Sequence, residues 1–165
     1  MGTLKLQTFG IGRQRPILFF TRQRTDTLFG TVSFLGEKAP IEDIFLEIND
    51  PTTPYSCLVQ IKSTEKGYNT KGNLKVKVPK KKFQALVDRP LPTYVAGVDL
   101  NKEIVFISPA FNSKDRHSSM SIRNKLDFTD PVVTKTTLNE LKSDIINYWN
   151  NATVFSVKSS YISKL

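Results

Sequence analysis

The alternation of apolar and polar residues along the middle of the chain predicts a sheet built from short strands. In the segments 43–48 and 56–62 every second residue is apolar, and successive side chains of a strand point to opposite faces. One face of each segment is therefore apolar, formed by Ile44, Leu46 and Ile48 in the first and by Cys57, Val59 and Ile61 in the second. The connection 49–54 is rich in Asn, Asp and Pro and is typical of a hairpin loop. The two segments are therefore predicted to pair.

The same reasoning predicts further elements on both sides of this hairpin. Strands are predicted at 31–35, 73–78, 93–100 and 103–108, the last two joined by the turn Asn101-Lys102. Pro79 opens a predicted helix over 80–88, and the capping-box pattern from Thr137 to Glu140 predicts a second helix that runs to about Trp149. Three segments are less regular: 17–29 fits a helix or two short strands, 112–125 a polar basic loop, and 153–157 a last strand.

These elements predict the α/β class in its α+β form, a mixed sheet of about five to seven strands with few flanking helices. A length of 165 residues fits one domain and is sufficient for a hydrophobic core without disulfides or metal. We expect residues 1–28 to form a basic arm or a first helix, 29–158 a single domain, and 159–165 a polar tail.

The net charge of the chain bears on its partner. A charge of +9 favours a polyanionic partner, above all nucleic acid. The basic residues cluster in three places: before Asp26, between Lys62 and Lys82, and around 114–125. A solvated surface is the alternative explanation for any single cluster. The predicted nucleic-acid contacts are Arg22, Arg24, Lys66, Lys71, Lys80, Lys81, Lys82, Lys114, Arg116 and Arg123. Tyr68, in the basic loop, fits either a base-stacking residue or a loop anchor packed on the sheet.

The single cysteine and the apolar runs bear on the compartment. Cys57 lies on the apolar face of its strand, so we expect a buried thiol in a reducing cytoplasm rather than a nucleophile. No apolar run approaches the ~20 residues that span a membrane, and the first residues lack the apolar core of a secretory signal. The sequence therefore predicts a soluble cytoplasmic protein without membrane contact.

The polar faces of the first two strands carry the candidate chemistry. Asp43 and Glu47 lie opposite the apolar face of the first strand, and Gln60 and Lys62 lie opposite that of the second. If the apolar faces pack together, a carboxylate, an amide and an ammonium group converge. Mg²⁺-dependent phosphodiester cleavage uses such a group, with oxygen ligands for the metal and a cation near the phosphate. The alternative is a cross-strand ion pair between Asp43 and Lys62.

Asp43 followed by Gln60-Ile61-Lys62 resembles the core motif of the PD-(D/E)XK nuclease superfamily. Over roughly 30–150 the chain is similar to one branch, the restriction-endonuclease-like domain of unknown function 4365. That similarity extends to the segments 58–63, 74–80 and 91–95 and to the late aromatic pair Tyr148-Trp149. The resemblance implies a restriction-endonuclease-like core and a nuclease that acts on DNA, in genome defence or mobile-element biology.

The resemblance also implies roles for individual residues. Asp43, the side chain of Gln60 and the backbone carbonyl of Ile61 would bind Mg²⁺ or Mn²⁺, and Lys62 would act on the attacking water or stabilise the phosphate. Asp43, Gln60 and Lys62 are thus the predicted catalytic residues. Two features depart from the family: Ala39 and Ile41 stand where the branch has Asp and Gly, and no upstream acid lies on a clear helix.

These departures leave other functions open. A nuclease fold that has lost its activity would serve as a nucleic-acid-binding module. A protein-interaction module would use its basic face against an acidic partner, and either a homodimer or a protein partner could supply specificity.

Overall fold

The computed structural model describes residues 28–35, 41–102, 104–111, 119–122, 124–126 and 130–152. The strands are β1 (Phe29–Phe34), β2 (Ile44–Ile48), β3 (Ser56–Thr64), β4 (Leu74–Lys77), β5 (Thr93–Asp99), β6 (Ile104–Pro109), β7 (Ser119–Ile122) and β8 (Asn124–Leu126). The helices are α1 (Lys80–Val87) and α2 (Pro131–Asn151). The predicted mixed α+β class is therefore confirmed.

Six strands form the main sheet in the order β1-β2-β3-β5-β6-β8. Strands β3 and β5 are parallel, and the other neighbours are antiparallel. Because parallel neighbours need a long crossover, the chain between them passes through β4 and α1 before it returns as β5. Strand β4 pairs with β7 in a separate two-stranded antiparallel sheet.

The main sheet is covered on both faces, and each face has its own apolar cluster. On one face, α2 contributes Leu138, Leu141 and Ile145 to a cluster with the apolar sides of β2, β3 and β5. On the other face, β4 and α1 contribute Val76, Phe83 and Leu86, which pack with Val95 and Phe106. All seven residues of β5 are buried, as expected for a strand with layers on both sides.

Most predicted elements are confirmed to within two residues, but helix α2 begins earlier than predicted. Its N-cap is Asp130, whose side chain accepts the Val133 N–H at 3.1 Å, and Pro131 occupies the first turn. The prediction of a capping box at Thr137 is wrong, because Thr137 is buried inside the helix. Residues 131–136 are rich in the β-branched types Val and Thr, which have low helix propensity, so the sequence pattern did not predict this part of the helix.

The prediction of a loop over 112–125 is also wrong in its second half, where β7 and β8 lie. Residues 119–122 alternate polar and apolar types, and their backbone pairs with β4. Three predicted segments lie outside the described residues: the arm over 1–28 except for Leu28, the last strand over 153–157 and the tail over 159–165. In the ranges that the structure describes, no helix combines the length and apolar character needed to cross a membrane.

Candidate functional site

Because β2 begins at Ile44, the part of β3 beyond Val59 has no strand partner among the described residues on its β2 side, although its other edge pairs with β5. Their antiparallel register ends with Ile44 opposite Val59, and the Asp43 N–H donates to the Val59 carbonyl at 3.0 Å. Residues two apart along a strand direct their N–H and C=O groups to the same edge. Ile61 therefore presents its N–H and C=O just beyond the start of β2.

The carboxylate of Asp43 occupies this position. Its Oδ2 accepts the Ile61 N–H at 2.7 Å and also accepts the side-chain amide of Gln60. The same amide donates to the Ile61 carbonyl at 3.1 Å. Asp43 is 8% exposed and Gln60 is 4% exposed, so these contacts replace water for both side chains. The structure thus brings Asp43, Gln60 and the Ile61 backbone together, and the hydrogen bonds explain the burial of Asp43 without an ion pair.

One atom of this cluster lacks a partner. The Oε1 of Gln60 is buried and accepts no hydrogen bond from any described residue. A buried acceptor in this state costs about 1–3 kcal/mol, so its presence calls for an explanation. A half-turn of the amide would exchange its oxygen and nitrogen and place Oε1 beside Asp43 Oδ2 and the Ile61 carbonyl. Three oxygens in that position repel one another unless a cation lies among them.

After such a half-turn, the three oxygens would match part of a magnesium coordination sphere. Mg²⁺ takes oxygen ligands and is commonly held by one or two carboxylates, with waters and substrate phosphates in the other positions. Within the described ranges, no group of three His, Cys, Asp or Glu side chains could hold a metal ion. A metal here would therefore rely on Asp43 for charge and on the neutral oxygens of Gln60 and Ile61.

Lys62 lies on the same sheet face as Gln60. The two residues are two positions apart on β3, about 7 Å between their Cα atoms. Lys62 is partly buried, and its register partner on the parallel strand β5 is Gly97, which adds no side chain beside it. The Lys62 side chain therefore starts from the sheet face that carries Asp43.

The described acidic residues near Asp43 in the sequence are not part of its hydrogen-bonded cluster. Glu42 is 5% exposed and accepts the Nε of Arg89 at 2.5 Å, which ties the end of α1 to the start of β2. Glu47 is partly buried on β2, opposite Ser56 and four residues from Asp43. The other two upstream acids, Asp26 and Glu37, lie outside the described residues.

The predicted nucleic-acid contacts that can be located lie in one layer. Lys66 and Lys71 are exposed in the loop before β4, and Lys80, Lys81 and Lys82 are exposed on α1. Residues 64–92, which cover the face of Asp43, contain eight Lys and Arg and only two acids. On the opposite face, residues 130–152 contain three acids and two lysines. The remaining predicted contacts are outside the described residues, namely Arg22, Arg24, Lys114, Arg116 and Arg123.

The sequence did not predict a cavity of about 510 Å³ at one end of the basic layer. Tyr68 and Phe106 form part of its wall, with ring centroids 5.8 Å apart in an edge-to-face arrangement. The Tyr68 hydroxyl donates to Asp99 Oδ2 at 2.5 Å, and the Lys102 ammonium lies 4.6 Å from the Tyr68 ring centroid. These contacts match the loop-anchor alternative for Tyr68, and the base-stacking alternative stays a prediction. In the sequence, the cavity was signalled only by Asp99, an acid two residues before the predicted turn Asn101-Lys102.

A smaller cavity of about 290 Å³ lies on the opposite face, between β5, β6 and α2. Here the Tyr94 hydroxyl donates to Asp144 at 2.7 Å, and burial, with this hydrogen bond, raises the pKa of Tyr94. Cys57 is a free buried thiol whose pKa is also raised by burial. The expectation of a buried, unreactive cysteine agrees with this position.

No family model matches the chain, and neither does any curated protein or any solved structure. The resemblance to PD-(D/E)XK nucleases therefore stays a prediction, and the case for a site at Asp43 depends on its geometry.

Proposed function

We propose that the chain is a metal-dependent nuclease that hydrolyses phosphodiester bonds, with DNA as the favoured substrate. The observation that carries this proposal is the buried Gln60 amide, whose nitrogen lies beside the carboxylate of Asp43 and the carbonyl of Ile61 while its Oε1 has no partner among the described residues. A half-turn of the amide would bring that oxygen to the other two. A divalent cation would turn three mutually repelling oxygens into ligands.

The charges of the surrounding layer support the same proposal. The site lies on the sheet face covered by residues 64–92, where lysines outnumber acids, so a phosphate backbone is attracted to this side. The opposite layer, formed by α2, has a slight excess of acids. A substrate of negative charge would thus approach the face on which Asp43 lies.

Each residue of the site has a separate task. Asp43 supplies the negative charge that holds the cation, and its Oδ2 is oriented by the Ile61 N–H. Gln60 and the Ile61 carbonyl supply neutral oxygens, which hold a metal less strongly than carboxylates do. The ammonium group of Lys62 would stabilise the negative charge that develops on the phosphate. When bound, Mg²⁺ or Mn²⁺ would supply Lewis acidity and lower the pKa of a coordinated water.

The direct test is a cleavage assay on plasmid, single-stranded DNA and RNA in Mg²⁺, Mn²⁺ and chelator. We expect Asp43→Asn and Lys62→Ala each to reduce metal-dependent cleavage at least about 100-fold. Asp43→Asn keeps an oxygen that can accept the Ile61 N–H, so urea unfolding should show that the fold is retained. The matched controls are Glu47→Gln on the same strand and Lys135→Ala on the opposite layer, which should cleave like the wild type. Unchanged cleavage by both site variants would reject the proposal.

A nucleic-acid-binding module without catalytic activity is the second candidate. Its support is that the Gln60 amide can satisfy Asp43 and Ile61 without any metal, as the hydrogen bonds show. This function predicts full affinity in chelator, a steep loss of affinity with salt, and no cleavage in Mg²⁺ or Mn²⁺. Absence of nucleic-acid binding at ~0.15 M salt would reject both candidates.

A further inference from the structure

The geometry points to a binding cavity for the base of an unpaired nucleotide, adjacent to the position where Lys62 would contact a phosphate. This inference rests on the proposed function and names its substrate class. The substrate would be a single strand, or a strand with one base turned out of its duplex.

The lining of the 510 Å³ cavity matches the two halves of a nucleotide. Tyr68, Ile104 and Phe106 form an aromatic and apolar wall, and Lys71 and Lys102 contribute ammonium groups. Nucleobases stack on aromatic rings, and lysines contact the phosphates of the same strand. The volume lies within the range of sites that enclose small organic molecules, so one base can enter.

The aromatic wall is fixed in place before any ligand binds. Asp99 is 3% exposed, and its two carboxylate oxygens have separate partners. Oδ2 accepts the Tyr68 hydroxyl at 2.5 Å, while Oδ1 accepts the N–H groups of Asn101 and Lys102 at 2.9 and 3.2 Å. The acid therefore holds both the ring and the turn that carries Lys102. Such preorganisation lowers the entropy lost on binding.

The sheet register places this cavity on the same sheet face as Lys62, two strands away. Lys62 pairs with Gly97 on β5, and Gly97 pairs with Phe106 on β6. Paired residues face the same side of a sheet, and neighbouring strands lie about 4.8 Å apart. The Cα atoms of Lys62 and Phe106 are thus roughly 10 Å apart, and Gly97 places no side chain between them. When Lys62 contacts one phosphate, the base of a neighbouring nucleotide can reach the cavity.

Binding measurements in chelator test this inference without any cleavage. We would compare a fluorescein-labelled thymidine strand with an abasic strand of equal length, which has the phosphates but no bases. The wild type should bind the thymidine strand about tenfold more tightly, and Tyr68→Leu should remove that preference while abasic binding is unchanged. Tyr68→Phe, which keeps the ring, should retain the preference. Equal affinity of the wild type for both strands would overturn the inference.

Photocrosslinking gives an independent readout of where the base lies. A single strand with one 5-iodouracil should crosslink to the peptide that contains Tyr68, and the same strand in a duplex should not. Lys102→Ala should weaken binding more than Lys135→Ala, an equal charge loss on the opposite layer. Crosslinks confined to other peptides would overturn the inference. The binding and cleavage assays distinguish the two proposals. A preference for the thymidine strand without cleavage rejects only the proposed nuclease activity. Cleavage without that preference rejects only the proposed base-binding cavity.

Discussion

The variant Gln60→Glu distinguishes two interpretations of the Asp43 site, a metal site and a purely structural cluster of hydrogen bonds. Gln60→Glu keeps the shape of the side chain but replaces the amide nitrogen with a second oxygen. In chelator, that oxygen faces Asp43 Oδ2 and the Ile61 carbonyl, both of which had accepted hydrogen bonds from the amide. The variant therefore loses two buried hydrogen bonds and gains the repulsion of two carboxylates.

The size of this effect follows from the contacts. A buried hydrogen bond contributes about 0.5–1.5 kcal/mol, and one to a charged acceptor about 1.5–3 kcal/mol, which together give roughly 2–4 kcal/mol of destabilisation. The destabilisation has an upper limit, because the new glutamate can take up a proton instead of burying its charge. At pH 7, protonating a glutamate with an ordinary pKa of about 4.3 costs about 4 kcal/mol, since each pKa unit is worth about 1.4 kcal/mol. Divalent cation should reverse the loss, since ligand at about 100 times its Kd stabilises a protein by about 2.7 kcal/mol.

Urea unfolding, followed by the fluorescence of the single Trp149, measures both parts of the effect. The matched control is Gln84→Glu on α1, where the Gln84 amide donates to Asp88 Oδ1 at 2.6 Å at the protein surface. Water screens that pair, so the control should change stability by less than about 1 kcal/mol and should not respond to Mg²⁺. The reasoning is refuted if Gln60→Glu equals the wild type in chelator, or if Mg²⁺ stabilises it no more than the control.

Three further predictions concern other buried groups. Arg89→Leu leaves Glu42 buried without its partner and should lower the free energy of unfolding by about 1–3 kcal/mol in urea titrations; an unchanged midpoint would contradict the role of this contact. Cys57, buried and with a raised pKa, should react with an aromatic disulfide reagent only as fast as the protein unfolds, so rapid native reaction would contradict its burial. Because the pKa of Tyr94 is raised in the folded protein, the Tyr94 hydroxyl loses its proton above about pH 10 in the unfolded chain but keeps it in the folded one. The free energy of unfolding should therefore fall with rising pH by up to about 1.4 kcal/mol per pH unit. Urea midpoints at about pH 8 and 11 should show a shallower fall for Tyr94→Phe, which lacks both this proton and the hydrogen bond to Asp144; an equally steep fall would assign the effect to other groups.

Strand alternation was sufficient to predict that Asp43 and Gln60 lie on the same face of the sheet. The apolar sides of β2 and β3 had to face one core, and this condition alone sends Gln60 to the opposite face. The burial of Cys57 follows from the same rule. The helix α1 was recognisable because Pro79 fixes its first turn and Phe83 and Leu86 form its apolar side.

Other features depend on tertiary contacts that a local pattern does not contain. The ring contact of Tyr68 with Phe106 and the hydrogen bond of Glu42 with Arg89 join residues that are far apart in sequence. The early start of α2 at Pro131 depends on its N-cap and on burial of Thr134, which outweigh poor helix propensity. The unpartnered Oε1 of Gln60 becomes visible only once the Asp43 and Ile61 groups around it are placed.

The parallel pairing of β3 with β5 has a consequence for the order of folding. The contact between Asp43 and Gln60 closes a short loop, whereas the alignment of Lys62 with Gly97 requires the whole crossover through β4 and α1. Contacts of long sequence separation form slowly because more chain entropy is lost before they are made. We therefore expect a newly synthesised chain to form the contact between Asp43 and Gln60 early and the alignment of Lys62, Gly97 and Phe106 late, so that the proposed affinity for nucleic acid would mark the completed molecule.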